Sequence, residues 1–70
     1  TAILAVRLED KPGELARLFT AAAQANVNLE DVRIDHSLGH PTGLVELTVA
    51  PTSASVLKPA LEHEGFVVIS

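Results

Sequence analysis

Nine carboxylates, three histidines and one Asp10-Lys11-Pro12-Gly13-Glu14 turn are the groups in this sequence that could do chemistry. His36 and His40 are four residues apart, but they fall on a strand end and a turn rather than on one helix face. His63 belongs to a second helix. Zinc needs three or four converging ligands, so no metal site is expected. Most carboxylates read as solvated faces: neighbours along a strand point to opposite sides, and no nucleophile or oxyanion motif accompanies them. No catalytic residue is expected in this segment. The turn matches neither the Walker loop nor the dinucleotide fingerprint, so no cofactor site is expected either. It does stand where a strand feeds a helix. Gly13 leaves room for a ligand near the backbone, and the unpaired amides of a helix start favour a carboxylate. A plain strand-to-helix turn would use similar residues.

The elements that carry these groups follow from periodicity. Residues 2–9 alternate, with Leu4, Val6 and Leu8 on one face and Ile3, Ala5 and Arg7 on the other. Pro12 suits a first helical turn. Across 12–25 the stripe Leu15, Leu18, Phe19, Ala22 and Ala23 has helical spacing. Glu14 complements the helix dipole, and Asn26 can take the left-handed conformation that ends a helix, with Val27 packing back. Residues 29–37 and 44–50 alternate again and form a hairpin with a loose tip at 38–43. Val32, Ile34 and His36 face inward on one run, and Val45, Leu47 and Val49 on the other. One allowed register sets Arg33 beside Glu46 as a cross-strand ion pair. A second helix starts after Pro51, capped by Ser53 or Ser55, with a stripe of Val56, Leu57, Ala60 and Leu61. Pro59 should bend it if Ser53 is the cap, and disturb it less if the cap is Ser55 or later. Gly65 ends it, and 66–69 form a last buried strand.

The order βαββαβ predicts an α+β, ferredoxin-like sandwich. Right-handed crossovers give a four-stranded antiparallel sheet of order 4-1-3-2 with both helices on one face. Length allows one domain and one core across residues 1–70. With no Met, even at position 1, the segment reads as a domain cut from a longer chain. The 47% hydrophobic content is too high for a disordered tail. No apolar run approaches the roughly 20 residues of a membrane helix, and no leader pattern is visible. Zero Cys excludes disulfides, thiolate metal sites and a Cys nucleophile, and is compatible with a cytoplasmic protein. A net charge of −4 and two aromatic residues argue against a nucleic-acid surface. So small a core, without disulfide or metal, points to association with another chain.

The string Val6-Arg7-Leu8-Glu9-Asp10-Lys11-Pro12-Gly13-Glu14-Leu15, followed by Asn26-Val27-Asn28-Leu29, resembles the ACT domain. That family has an Asp/Asn-x-Pro-Gly turn opening helix 1 and a Gly-Val-Asn-Ile-like segment opening strand 2. Asn26 stands here in place of the usual Gly. The resemblance implies a regulatory, amino-acid-binding domain that pairs as a homodimer through edge strand 2. It implies an effector held between Asp10, Pro12, Gly13, Glu14 and Leu15 of one subunit and Asn28 and Leu29 of the other. Asp31, Val32, Arg33 and Ile34 would form the dimer seam. In this arrangement Asn28 would hold the effector's carboxylate or ammonium, Asp10 its ammonium, and the helix amides its carboxylate.

The runs 29–37 and 43–51 are similar to the C-terminal ACT domain of actinobacterial-type prephenate dehydrogenases. The Glu-Ser-Arg-Pro element of prephenate dehydratase and aromatic hydroxylase domains is missing. The implied parent is an NAD-dependent oxidoreductase of tyrosine biosynthesis, cytoplasmic, with NAD in its catalytic domain and none in this segment. The implied effector is tyrosine or another aromatic amino acid, acting by allosteric feedback on the catalytic domain. Alternatives are a dimerisation module without a working ligand site, or the ACT domain of another amino-acid-metabolism enzyme. No nucleic-acid or membrane partner is expected.

Overall fold

A computed structural model describes residues 1–36 and 41–69, and of His36 the backbone alone. The elements are β1 (Ala2–Glu9), α1 (Glu14–Gln24), β2 (Asp31–His36), β3 (Thr42–Val49), α2 (Pro51–His63) and β4 (Val67–Val68). They form an α+β domain with one four-stranded antiparallel sheet in the order β2-β3-β1-β4. Read from the β4 edge, these are the neighbours 4-1-3-2. The hairpin tip at Leu38, Gly39 and His40 lies outside the described residues.

Alternation decides which sheet face is buried. Leu4, Val6 and Leu8 of β1 and Val45, Leu47 and Val49 of β3 all point to one side and are buried. Leu18, Ala21 and Ala22 of α1, Leu57 and Leu61 of α2, Val27 and Phe66 complete the same core. Both helices therefore cover this face. The opposite face carries Ile3, Arg7, Glu46 and Arg33, all exposed. α1 and α2 pack on each other and over β1, and α2 also meets β4. β2 lies at the far edge, and its inner row is partly open: Val32 is half-buried and Ile34 is 42% exposed.

Both helices stop by the same device. Asn26 adopts a left-handed φ of 59°, Asn26 N–H donates to Ala23 O, and Val27 N–H reaches back to Ala22 O. Gly65, at φ 91°, donates to Glu62 O, and Phe66 N–H donates to Leu61 O. In each case the residue after the left-handed position is a buried apolar side chain that clamps the helix end.

Several expectations need correction. α1 starts at Glu14, not Pro12, because Gly13 takes the N-cap position with φ 88°. Its buried face is turned from the expected stripe: Ala21 is buried, whereas Phe19 is 40% exposed and Ala23 is exposed. The small Ala21–Ala22 pair allows close approach to neighbouring elements, which a Phe19 face would prevent. α2 begins at Pro51 with Ala50 at the cap, so neither Ser53 nor Ser55 caps it. Pro51 needs no N–H at that position and its φ is already helical. Val56 is exposed, leaving Leu57 and Leu61 as the buried stripe. The register does oppose Arg33 and Glu46, but the ion pair runs from Arg33 Nε to Asp31 at 3.6 Å on its own strand. Among the described residues, no helix is long and apolar enough to cross a membrane.

Candidate ligand-binding site

The β1–α1 connection is built to reverse the chain tightly. Lys11 N–H donates to Glu9 O at 3.0 Å and Asp10 N–H to Pro41 O at 2.9 Å, tying the turn to the start of β3. Gly13 then swings into the left-handed region. A Cβ there would meet nothing within 4 Å, so conformation rather than space demands glycine. The helix that follows leaves the N–H groups of Gly13, Leu15 and Ala16 without an acceptor among the described residues. They form the partly positive end of α1.

Beside this turn lies a cleft of about 210 Å³. Leu8, Leu15, Ile34 and Val45 supply apolar side chains, while Glu9, Asp10, Lys11 and Glu14 stand along the turn. Ile34 and Val45 are cross-strand partners, so they share the helix-facing side of the sheet. The helices pack over β1 and β4, and among the described residues neither packs comparably on β2, which leaves the cleft open at that edge.

The three carboxylates here differ. Glu9 pairs with Lys11 at 3.2 Å, with both side chains well exposed. Glu14, only 9% exposed, receives Arg17 Nε at 3.2 Å and Nη2 at 3.3 Å. The hydrogen bonds from Arg17 lower the Glu14 pKa, burial opposes them, and the charges of Arg17 and Lys11 add to the lowering. Asp10 has no side-chain partner among the described residues. Among the described residues, an unpaired carboxylate and free helix amides thus stand beside an apolar floor. That arrangement suits a small zwitterion with an ammonium, a carboxylate and a carbon side chain.

Of the residues anticipated from the sequence, Asp10, Gly13, Glu14 and Leu15 line this cleft, and Ile34 joins them from β2. Pro12 is exposed and outside the lining. Asn28 lines a separate shallow depression with Ala23, Asn26 and Val27, and Leu29 is half-buried against the core. Asp31 and Arg33 lie on the exposed sheet face, and Val32 is half-buried on the helix side. Sequence reasoning missed Arg17, although its spacing of three from Glu14 on a helix was a usable signal. It also missed that Ile34 belongs to the cleft of its own chain. Among the described residues, no three His, Asp or Glu side chains converge as metal ligands. The side chain of His36 and all of His40 lie outside them.

The chain matches no protein-family profile and no curated protein. Among solved structures it is similar to protein BT0572 from Bacteroides thetaiotaomicron, with a TM-score of 0.81 and 26% sequence identity. The likeness covers 94% of this chain and 43% of that one, so the chain spans less than half of that protein's length.

Proposed function

We propose that this chain is an ACT-type regulatory domain, a ferredoxin-like sandwich that binds an amino acid and works as part of a longer protein. One observation carries the reading. Asp10, Gly13, Glu14 and Leu15 line a cleft with an apolar floor, where among the described residues the Asp10 carboxylate and the amides of Gly13, Leu15 and Ala16 have no partner. Asp10 attracts the effector's ammonium, and the amides of Leu15 and Ala16 attract its carboxylate. The second wall comes from another copy joined along β2, which brings Asn28 and Leu29 of the partner subunit across the opening, with Asp31 to Ile34 as the seam. β2 is an edge strand whose outward backbone groups are available to a second strand.

The parent follows from resemblance: a cytoplasmic, NAD-dependent prephenate dehydrogenase under feedback by tyrosine or another aromatic amino acid. Catalysis and NAD belong to the rest of that protein. The domain contributes linkage. A ligand that bridges two copies favours the arrangement in which both walls meet, and coupling of about 1–3 kcal/mol is typical of such effects. A second reading, a dimerisation module without ligand, draws on one fact: Glu14 is already committed to Arg17, which leaves Asp10 as the only cleft carboxylate without a side-chain partner among the described residues.

Calorimetric titration with tyrosine, phenylalanine, tryptophan and serine, alongside solution mass, tests the proposal. A dimer that binds at least one aromatic amino acid is expected. Asp10→Ala should weaken that binding about tenfold, the loss of a charge-assisted hydrogen bond, with unchanged unfolding. A dimer that binds none of the four would leave only the module, and a monomer without ligand would sink both readings.

A further inference from the structure

The polar and apolar parts of the cleft are segregated, and this bears on which amino acid fits. Every charged side chain in the lining comes from residues 9–14, along the turn. Leu8, Leu15, Ala16, Ile34 and Val45 carry no polar side-chain atom. Gly43, also in the lining, sits in the ladders between Leu8 and His36, so its backbone groups belong to the sheet. The cleft-lining carboxylate that is most buried, Glu14, has both oxygens engaged by Arg17. At about 210 Å³ the space is below the roughly 300–1,000 Å³ of drug-sized sites and suits one small molecule.

We infer that the effector is an α-amino acid whose side chain is purely apolar, of the phenylalanine or leucine class, and not tyrosine. The inference rests on the amino-acid-binding reading and narrows it. With its ammonium at Asp10 and its carboxylate at the α1 amides, the ligand's side chain lies over Leu8, Leu15, Ile34 and Val45. Among the described residues a hydroxyl at its tip finds no polar side chain, and the second copy of the proposed dimer closes the opening over it. A polar group desolvated without a partner is penalised, and an apolar pocket rejects an added hydroxyl by up to roughly a hundredfold. Ile34 is then a specificity-determining residue, because it is the floor side chain from β2 and the least buried of the four.

Titration of the protein with phenylalanine, leucine, tyrosine and serine separates the possibilities. Phenylalanine or leucine should bind at least about tenfold more tightly than tyrosine and serine. Tyrosine binding as well as phenylalanine would overturn this inference and leave the amino-acid site standing. Binding by none of the four would overturn both. Ile34→Ala should raise the Kd for phenylalanine about fivefold or more, and Ile34→Val should raise it less, in the same direction. Circular dichroism checks that each variant is folded. Unchanged phenylalanine affinity in both variants would place the ligand elsewhere.

Discussion

Arg17 touches three parts of the chain at once. It holds the Glu14 carboxylate, its Nη1 donates to the Glu64 carbonyl at 2.6 Å, and its guanidinium lies 3.9 Å from the Phe66 ring centroid. The head of α1 is thereby fastened to the end of α2. Because the folded-state pKa of Glu14 is lowered from 4.5, its contribution is present above that value and is lost as pH falls through the folded pKa. Glu14→Gln should therefore have a lower thermal midpoint than the parent at pH 7, and the gap should close as the pH drops below 4.5. A gap that does not narrow at all as the pH falls below 4.5 would show that the ion pair is not what the substitution removed. Glu14 in a first turn was legible in the sequence, since helix starts favour acids. Its partner was legible only as a spacing. The stacking on Phe66 was not, because it joins residues far apart in the chain through the tertiary fold.

At the scale of elements, the parts that local chemistry decides were the readable ones. Asn26 and Gly65 end their helices as their backbone preferences require, and the alternation in β1 and β3 marks the buried face directly. The phase of α1 was not readable, because Leu15 and Leu18 fit two neighbouring stripes. Only packing against β1 and α2 chooses Ala21 over Phe19 and Ala23, beside the Ala22 that both stripes share. The start of α2 was hidden by competing hydroxyl caps, while Pro51 supplied the start by its fixed φ. Pro59 remains inside that helix, where it withholds the hydrogen bond to the Ser55 carbonyl. Pro59→Ala should stabilise the domain by about 1 kcal/mol, the restored bond outweighing the greater freedom of the unfolded chain. For a domain of this size that is a rise of roughly 4–8 °C in Tm, measurable by thermal unfolding. A fall in Tm would mean that the Pro59 ring is part of how α2 fits the sheet.

For the molecule as a whole, the open question is what meets the β2 edge. The exposed row of this strand reads Asp31, Arg33, Asp35. If two copies pair antiparallel along it, a register centred on Val32 sets Asp31 against the partner's Arg33, twice by symmetry. A register centred on Arg33 would set like charges together. The charge pattern thus selects among registers. Arg33→Glu makes the row wholly acidic and should weaken dimerisation roughly tenfold, since each cross-strand pair contributes about 0.2–1 kcal/mol and reverses sign. Sedimentation across a dilution series would measure it, and an unchanged dimer would move the seam away from β2. The sheet order itself was legible, because alternating runs, two helices and right-handed crossovers leave few arrangements. The joining of the cleft to β2 was not, because it depends on how far the helices reach across the sheet. The central place of β1 has one more consequence. This strand precedes the other five elements of the domain, yet its two neighbours are Thr42–Val49 and Val67–Val68. During synthesis β1 therefore has no strand partner in its sheet until β3 emerges, and lacks its second until β4 follows. Contacts that distant in sequence slow the folding of such a domain relative to an all-helical one of its size.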